Sequence, residues 1–224
     1  MSFKDLVEDK KVLIIGPAPY LYDKSVIEKI ENFDTIVRLN RSIEIIDENS
    51  KYVGKKVDIL YHNVEVAPHH GSNDYSLEEW KKKNVKHVRI CYPPIKSYYA
   101  QNIDRFIHKN TPEVIESSIV DTDVYNNIFR GCENTSPNSG TIAIIDLLSY
   151  NPKNLHISGL TFLRGKKVYV DGYRDVTNGE ELIRKQNSIY KNHSIDYQIE
   201  FLKEELNKYK NVSFDDEVYE ALYK

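Results

Sequence analysis

The chain has 224 residues, with 31 Lys plus Arg against 34 Asp plus Glu and a formal net charge of -3. This length supports one domain, residues 1–224, with a sizeable core, and the charge balance excludes nucleic acid as an expected partner. Only two cysteines occur, Cys91 and Cys132, and neither an apolar leader nor an apolar stretch of membrane-spanning length is present. The expectation is therefore a cytoplasmic protein with reduced thiols, no transmembrane segment and no internal repeat.

Lys11-Val12-Leu13-Ile14-Ile15-Gly16 is a continuous apolar run ending in Gly, the pattern of a strand buried on both faces of a parallel sheet. The Pro17-Ala18-Pro19 loop follows, then a short amphipathic helix over 23–31 with Val26, Ile27 and Ile30 inward. Residues 35–39 predict a second strand ending at Asn40, and residues 56–61 a third ending at His62-Asn63. A helix over 77–83 presents Lys81-Lys82-Lys83 to solvent, and a fourth strand over 87–91 is stopped by Pro93-Pro94. Residues 98–108 predict a helix with Ile103, Phe106 and Ile107 on one side.

Thr135-Ser136-Pro137-Asn138-Ser139-Gly140 then runs into Thr141-Ile142-Ala143-Ile144-Ile145-Asp146-Leu147-Leu148. Small polar residues and Pro ahead of apolar positions at helical spacing write a helix start. Ile142, Ile145 and Leu148, with Ile144 and Leu147 beside them, leave the first turn as the only wet end of a buried helix. That turn is a candidate anion site, because unpaired N–H groups and the helix dipole meet there and Ser139 and Gly140 admit a phosphate or carboxylate to the main chain.

Residues 154–159 predict another strand ending in Gly159. Beyond it come a turn over 164–167, a short strand over 168–170, and a polar lid or acceptor-side loop over 171–175. A helical stretch begins at Asn178 and breaks at Asn192-His193-Ser194. A second helix runs to about Lys208 and buries Ile195, Ile199, Leu202 and Leu206, followed by an edge strand over 211–214 and a last helix over 216–223.

Strands alternating with helices give an α/β, Rossmann-like, mostly parallel sheet with helices on both faces. Ligands of such sheets bind outside the carboxyl ends of the strands. Gly16, Asn40, Asn63 and Gly159 all fall at those ends, and the Ser139-Gly140 turn faces the same mouth, which describes a nucleotide site. Gly16-Pro17-Ala18-Pro19 offers one glycine where a dinucleotide fingerprint needs three, and its prolines have no N–H for a pyrophosphate, so NAD and S-adenosylmethionine are disfavoured. No phosphate-binding P-loop, nucleophile elbow, Cys-x-x-Cys or His-Glu-x-x-His occurs. The His69-His70 pair reads as part of a surface loop.

Two features with other chemistry stand out. Asp121-Thr122-Asp123 places two carboxylates around one residue, as in nucleotide-diphosphate-sugar transferases that hold a divalent metal, although the surrounding residues have little strand character. His193 stands at the entrance of a predicted helix, where the positive dipole end keeps imidazole neutral and able to take a proton.

Together these segments resemble the sialyltransferases, family 29 of the glycosyltransferases. Residues 12–16 through Phe33-Asp34-Thr35-Ile36-Val37-Arg38-Leu39-Asn40 look like motif L. Pro137-Asn138-Ser139-Gly140 followed by Leu155-His156-Ile157-Ser158-Gly159-Leu160 is similar to motif S, and His193 with Gln198 to motif VS. The resemblance implies a single-domain, GT-A-like variant of the Rossmann fold and a CMP-sugar donor. It also implies inversion, no metal or other cofactor, and a glycan acceptor. Residue by residue it implies that Asn40 contacts the nucleotide and that Ser139 and Gly140 bind it through backbone groups. Gly159 would line the cytidine pocket and His193 would act as base. The chain departs from the family pattern at Pro17-Ala18, where motif L has Asn-Ser, at Gln198 in place of the motif VS acid, at Leu160 in place of Phe, and in a blurred motif III over 169–174. A metal-dependent transferase using Asp121 and Asp123, and a nucleotide-binding module without catalysis, are the alternatives.

Overall fold

The computed structural model describes residues 1–24, 27–44, 46–65, 76–110, 115–170, 178–182 and 194–224. Seven strands form one sheet: β1 (Lys11–Ile15), β2 (Thr35–Leu39), β3 (Ile59–His62), β4 (His87–Ile90), β5 (Glu116–Ile119), β6 (Asn154–Ser158) and β7 (Val212–Phe214). Every pairing is parallel, in the order β5-β4-β3-β2-β1-β6-β7. The chain builds outward from β1 to β5 and then returns to the other side of β1. The order therefore reverses between β1 and β6, the switch point at whose carboxyl ends ligands of such sheets bind.

Strand alternation divides the core into two layers. On one face Val12, Ile14, Val37, Leu39, Ile59, Tyr61, Leu155 and Ile157 pack under α1 (Phe3–Val7), α6 (Thr122–Gly131), α7 (Ser139–Leu148), α8 (Ile195–Leu206) and α9 (Asp216–Tyr223). On the other, Leu13, Ile15 and Ile36 meet α2 (Ile27–Ile30) and α3 (Ser50–Val53). Further along that face Leu60, Val88 and Ile90 meet α4 (Leu77–Lys82) and α5 (Ser97–Lys109). No helix among the described residues is long and apolar enough to cross a membrane.

The central helix α7 is buried along all ten of its residues, including its first turn. The expectation of a wet first turn is thereby corrected: Ser139 keeps 9% of its surface, and only the capping residue Asn138 is half-buried. The cap itself is Asn138, whose Oδ1 accepts the Thr141 N–H at 2.9 Å. Each fully buried Ile or Leu of this helix contributes about 2 kcal/mol of transfer free energy. Its one charged residue, Asp146, is paired: Arg89 of β4 reaches it with Nε and Nη2, both at 2.8 Å, and the Tyr61 hydroxyl donates to it at 2.8 Å. Arg89 also donates to Ser118 of β5 at 2.8 Å and lies 4.3 Å from the centre of the Phe3 ring. Burial opposes the charge on Arg89, and the bonds to Asp146 outweigh it, so the guanidinium titrates above its ordinary value.

Several local expectations change. The third strand begins at Ile59 because the buried Asp58 carboxylate takes the Ile36 N–H at 2.8 Å and the Lys86 ammonium at 2.6 Å. In α5 the buried seam runs through Asn102, Ile103 and Phe106, and Ile107 falls just past it, 55% exposed. The short strand over 168–170 does not form; Val170 makes a single N–H bond to the Pro17 carbonyl at 3.0 Å. Conversely β5 exists where little strand character was read. It is an edge strand with two exposed residues, so its sequence can be polar. The helices of residues 23–31 and 178–194, the His69-His70 pair and the loop over 171–175 lie wholly or partly outside the described residues.

Candidate active site

Gly16, Asn40, Asn63 and Gly159 each follow directly on the last residue of a strand. Gly159 has φ +73, a left-handed backbone that favours glycine, and a Cβ there would lie 2.6 Å from the Gly16 carbonyl oxygen. A Cβ on Gly16 would collide with the Gly159 carbonyl, and its next neighbour would be Leu160 Cδ2 at 2.5 Å. The same Leu160 side chain lies 3.6 Å from the Cβ position of Gly140. Leu160 therefore sits between Gly16 and Gly140, and the switch point and the start of α7 form one region.

Asn40 joins this region to β3. Its Nδ2 donates to Ser139 Oγ at 3.0 Å, and its Oδ1 accepts the Asn63 N–H at 3.1 Å. The Asn40 backbone is left-handed at φ 44, which Asn tolerates better than other side chains. Asn63 passes the connection on, its Nδ2 donating to Glu65 Oε2 at 3.2 Å, and Glu65 also accepts the Tyr98 hydroxyl. All six predicted nucleotide-binding residues are thus brought together.

At the entrance of α7, Thr141 N–H is capped and Asn138 N–H donates to Gln198 Oε1 at 2.8 Å. Among the described residues the Ser139 and Gly140 N–H groups have no acceptor. These two N–H groups lie, buried, at the positive end of a ten-residue helix, the arrangement that favours an anion able to reach them. Gln198 accepts a second bond there, from the Thr141 hydroxyl at 3.0 Å, and donates through Nε2 to the Ser194 carbonyl at 3.3 Å. Ser194 N–H in turn donates to Thr135 Oγ1 at 3.4 Å. Tyr92 donates to the Pro137 carbonyl at 3.1 Å while stacking on Tyr99, with centroids 4.8 Å apart. Cys91 lies against Ser139, and burial pushes its thiol up to about 12, so it is no nucleophile at neutral pH.

His193 lies outside the described residues. Asp121 is the N-cap of α6, its Oδ1 accepting the Asp123 N–H at 2.8 Å. It stands beyond β5, four strand spacings from β1, or about 19 Å across the sheet at the usual spacing. Among the described residues no three His, Cys, Asp or Glu side chains are grouped as a metal site would require.

Sequence reasoning missed the residues that hold this site in shape. Asp146 was a lone acid in an apolar helix, which is itself the signal of a buried partner, but nothing in the sequence named Arg89. The tie from Gln198 to Asn138 spans 60 positions, and the contact of Tyr20 with Asp215 spans 195. Neither leaves a local pattern.

No protein-family model matches the sequence, and no curated protein matches it. Solved structures do match. A mammalian sialyltransferase in complex with Gal-beta-1-3GalNAc-ortho-nitrophenol superposes with a TM-score of 0.59 at 13% identity, over 95% of this chain and 71% of that one. The sialyltransferase CstII from Campylobacter jejuni, in complex with the substrate analogue CMP-3FNeuAc, gives 0.58 at 17% identity, over 92% and 80%. The monofunctional alpha-2,3-sialyltransferase Cst-I of the same organism gives 0.57 at 18% identity, over 92% and 76%. The chain therefore has the sialyltransferase type of α/β Rossmann-like fold.

Proposed function

We propose that the protein is an inverting glycosyltransferase that moves a 2-keto acid sugar, sialic acid or Kdo, from a CMP-sugar to a hydroxyl of a glycan acceptor. The observation that carries this reading is the start of α7 at Ser139 and Gly140, which is hydrogen-bonded to Asn40 and packed at the switch point of a sheet shared with sialyltransferases. The CMP-3FNeuAc bound by the Campylobacter jejuni enzyme supplies the donor class.

The chemistry suits such a helix start. The acceptor oxygen loses its proton to His193 and bonds to the anomeric carbon, while the bond from that carbon to the phosphate oxygen breaks and its electron pair stays on the phosphate. The phosphate passes from the single charge of a diester toward the double charge of free CMP. A helix N-terminus that binds it gains strength as the bond breaks, so it favours the transition state over the ground state. Such a site contributes typically 0.3–1 kcal/mol per charge when exposed and about 2 when partly buried, which suits a leaving group handled without a metal. Support for His193 as the base comes from its neighbours in the chain: Ser194 is tied to Thr135 and Gln198 to Asn138 and Thr141, so the start of α8 is held against the start of α7.

The test is the shift in melting temperature with CMP, compared with UDP plus manganese and S-adenosylmethionine. A ligand at about a hundred times its dissociation constant adds roughly 2.7 kcal/mol, or several degrees for a domain of this size. CMP alone is expected to shift it, and transfer from CMP-sialic acid or CMP-Kdo is then expected to fall at least a hundredfold in His193→Ala with CMP affinity retained. A shift only with UDP and manganese moves the reading to a metal-dependent transferase. Turnover unchanged in His193→Ala removes His193 as base.

A further inference from the structure

Gly159 belongs to the donor pocket in the reading above, yet both of its backbone polar groups are engaged within the protein. Its N–H donates to the Tyr20 hydroxyl oxygen at 2.6 Å, and its carbonyl accepts the Ala18 N–H at 3.1 Å. Gly159 is itself buried, and the space a Cβ would take is filled by Gly16 and Leu21, so what it gives the site is the placement of the turn rather than a contact. The Tyr20 hydroxyl in turn donates a hydrogen bond to Asp215 Oδ2 at 3.1 Å. Asp215 is the meeting point of three further donors: Lys29 Nζ at 2.8 Å and His156 Nε2 at 3.1 Å on Oδ1, and the Ser158 hydroxyl on Oδ2.

Asp215 occupies the N-cap position of α9, where an Asp ordinarily accepts an N–H of its own helix, and its side chain makes no such bond. The carboxylate is instead turned toward the carboxyl end of β6. Burial would favour its neutral form, but the bonds from His156, Lys29 and Ser158 outweigh this and hold it well below the usual carboxylate range. A buried anion fed by four donors is a rigid anchor; it holds the end of β6 through Ser158, and it reaches the Gly159 N–H through Tyr20.

We propose that Tyr20 and Asp215 are positioning residues for the donor: the pair pins Gly159 in its left-handed turn against Gly16 and so sets the wall of the nucleotide pocket. This role rests on the CMP-donor reading. Neither residue needs to touch the reacting atoms, so the effect falls on binding rather than on the chemical step.

The experiment is a calorimetric titration with CMP of the wild type, Tyr20→Phe, Asp215→Asn and the double variant, together with transfer rates at saturating donor. Tyr20→Phe keeps the ring and removes only the hydroxyl. Its dissociation constant for CMP is expected to rise about tenfold, with saturated turnover within about twofold of wild type. The double variant is expected to bind no more weakly than the worse single variant, since both act along one path. A lowered melting temperature with an unchanged dissociation constant in Tyr20→Phe makes the pair merely structural and overturns the proposal. If Asp215→Asn does not fold, Tyr20→Phe decides alone. A wild type that does not bind CMP removes the donor reading itself, an outcome visible before any variant is compared.

Discussion

Asn40 Nδ2 donates to Ser139 Oγ at 3.0 Å, joining the end of β2 to the first residue of α7 across 99 positions of sequence. The same amide accepts the Asn63 N–H, so one side chain fixes three of the strand and helix ends that line the candidate site. Asn40→Asp keeps the acceptor for Asn63 and the tolerance for a left-handed backbone, loses the donor to Ser139, and adds a negative charge beside the start of α7. Its CMP affinity is expected to fall at least tenfold while its melting temperature stays within a few degrees. Asn40→Ala loses both bonds and the backbone preference, about 1–2 kcal/mol or roughly 2–8 °C. Calorimetry on the two variants separates the effects, and wild-type CMP binding by Asn40→Asp would sink the assignment.

The buried pair of Arg89 and Asp146 carries a different prediction. Arg89 is 4% exposed in its side chain and Asp146 fully buried, so removing the acid leaves a cation with nowhere to go. Asp146→Ala is expected to destabilise by about 3–5 kcal/mol, roughly 6–20 °C. Arg89→Met with Asp146→Leu, which removes both charges, is expected to recover most of that loss. If the double variant is as unstable as Asp146→Ala alone, the hydrogen bonds to Tyr61 and Ser118 carry the stability instead.

Two buried histidines set the response to acid. Burial pushes His62 down to about 3, and its Nδ1 accepts the Val64 N–H at 2.9 Å. Burial, helped by the charge on Arg89, pushes His87 down to about 4. Below the ordinary value of 6.5 the unfolded chain takes up protons that the native protein refuses, so stability falls as pH drops from about 6.5 toward 4. Between pH 7 and pH 5 each histidine is expected to remove roughly 1–2 kcal/mol, read as a lower urea midpoint. His62→Gln is expected to halve the pH-dependent part of the loss, whatever its own stability. Equal midpoints at the two pH values in the wild type would refute the account.

The sheet was legible because its central strands are buried on both faces: runs such as Val12 to Ile15 have no polar alternation to disguise them. The strand ends were legible for a chemical reason, since Gly16, Asn40, Asn63 and Gly159 are residue types suited to stopping a strand or bending the chain. Edge elements were less so. β5 is half-exposed, and the carboxylate of Asp121, weighed as a metal ligand only in the alternative reading, caps α6. The short α1 went unread although Ser2 and Asp5 form a capping box in front of it. What no local pattern could supply is the set of distant bonds, Gln198 to Asn138 and Asp215 to Tyr20, because they depend on which helices the sheet brings together.

Gly140 offers the sharpest separation of folding from binding. A Cβ there would meet Asn138 Oδ1 at 3.2 Å and the Leu160 methyls at 3.6 and 3.7 Å, contacts that a small shift relieves. Alanine is also the better helix former by about 1 kcal/mol, so Gly140→Ala is expected to fold with a melting temperature near that of the wild type. The new methyl would stand between an incoming phosphate and the Gly140 N–H, and CMP affinity is expected to fall at least tenfold. Gly159→Ala contrasts with it, because there the left-handed backbone and the Gly16 carbonyl 2.6 Å away make any side chain costly to the fold itself. Melting curves and CMP titrations of the two variants, run side by side, test this directly. Unchanged CMP affinity in a well-folded Gly140→Ala would return this turn to the role of an ordinary core-helix cap and require the donor phosphate to be placed elsewhere.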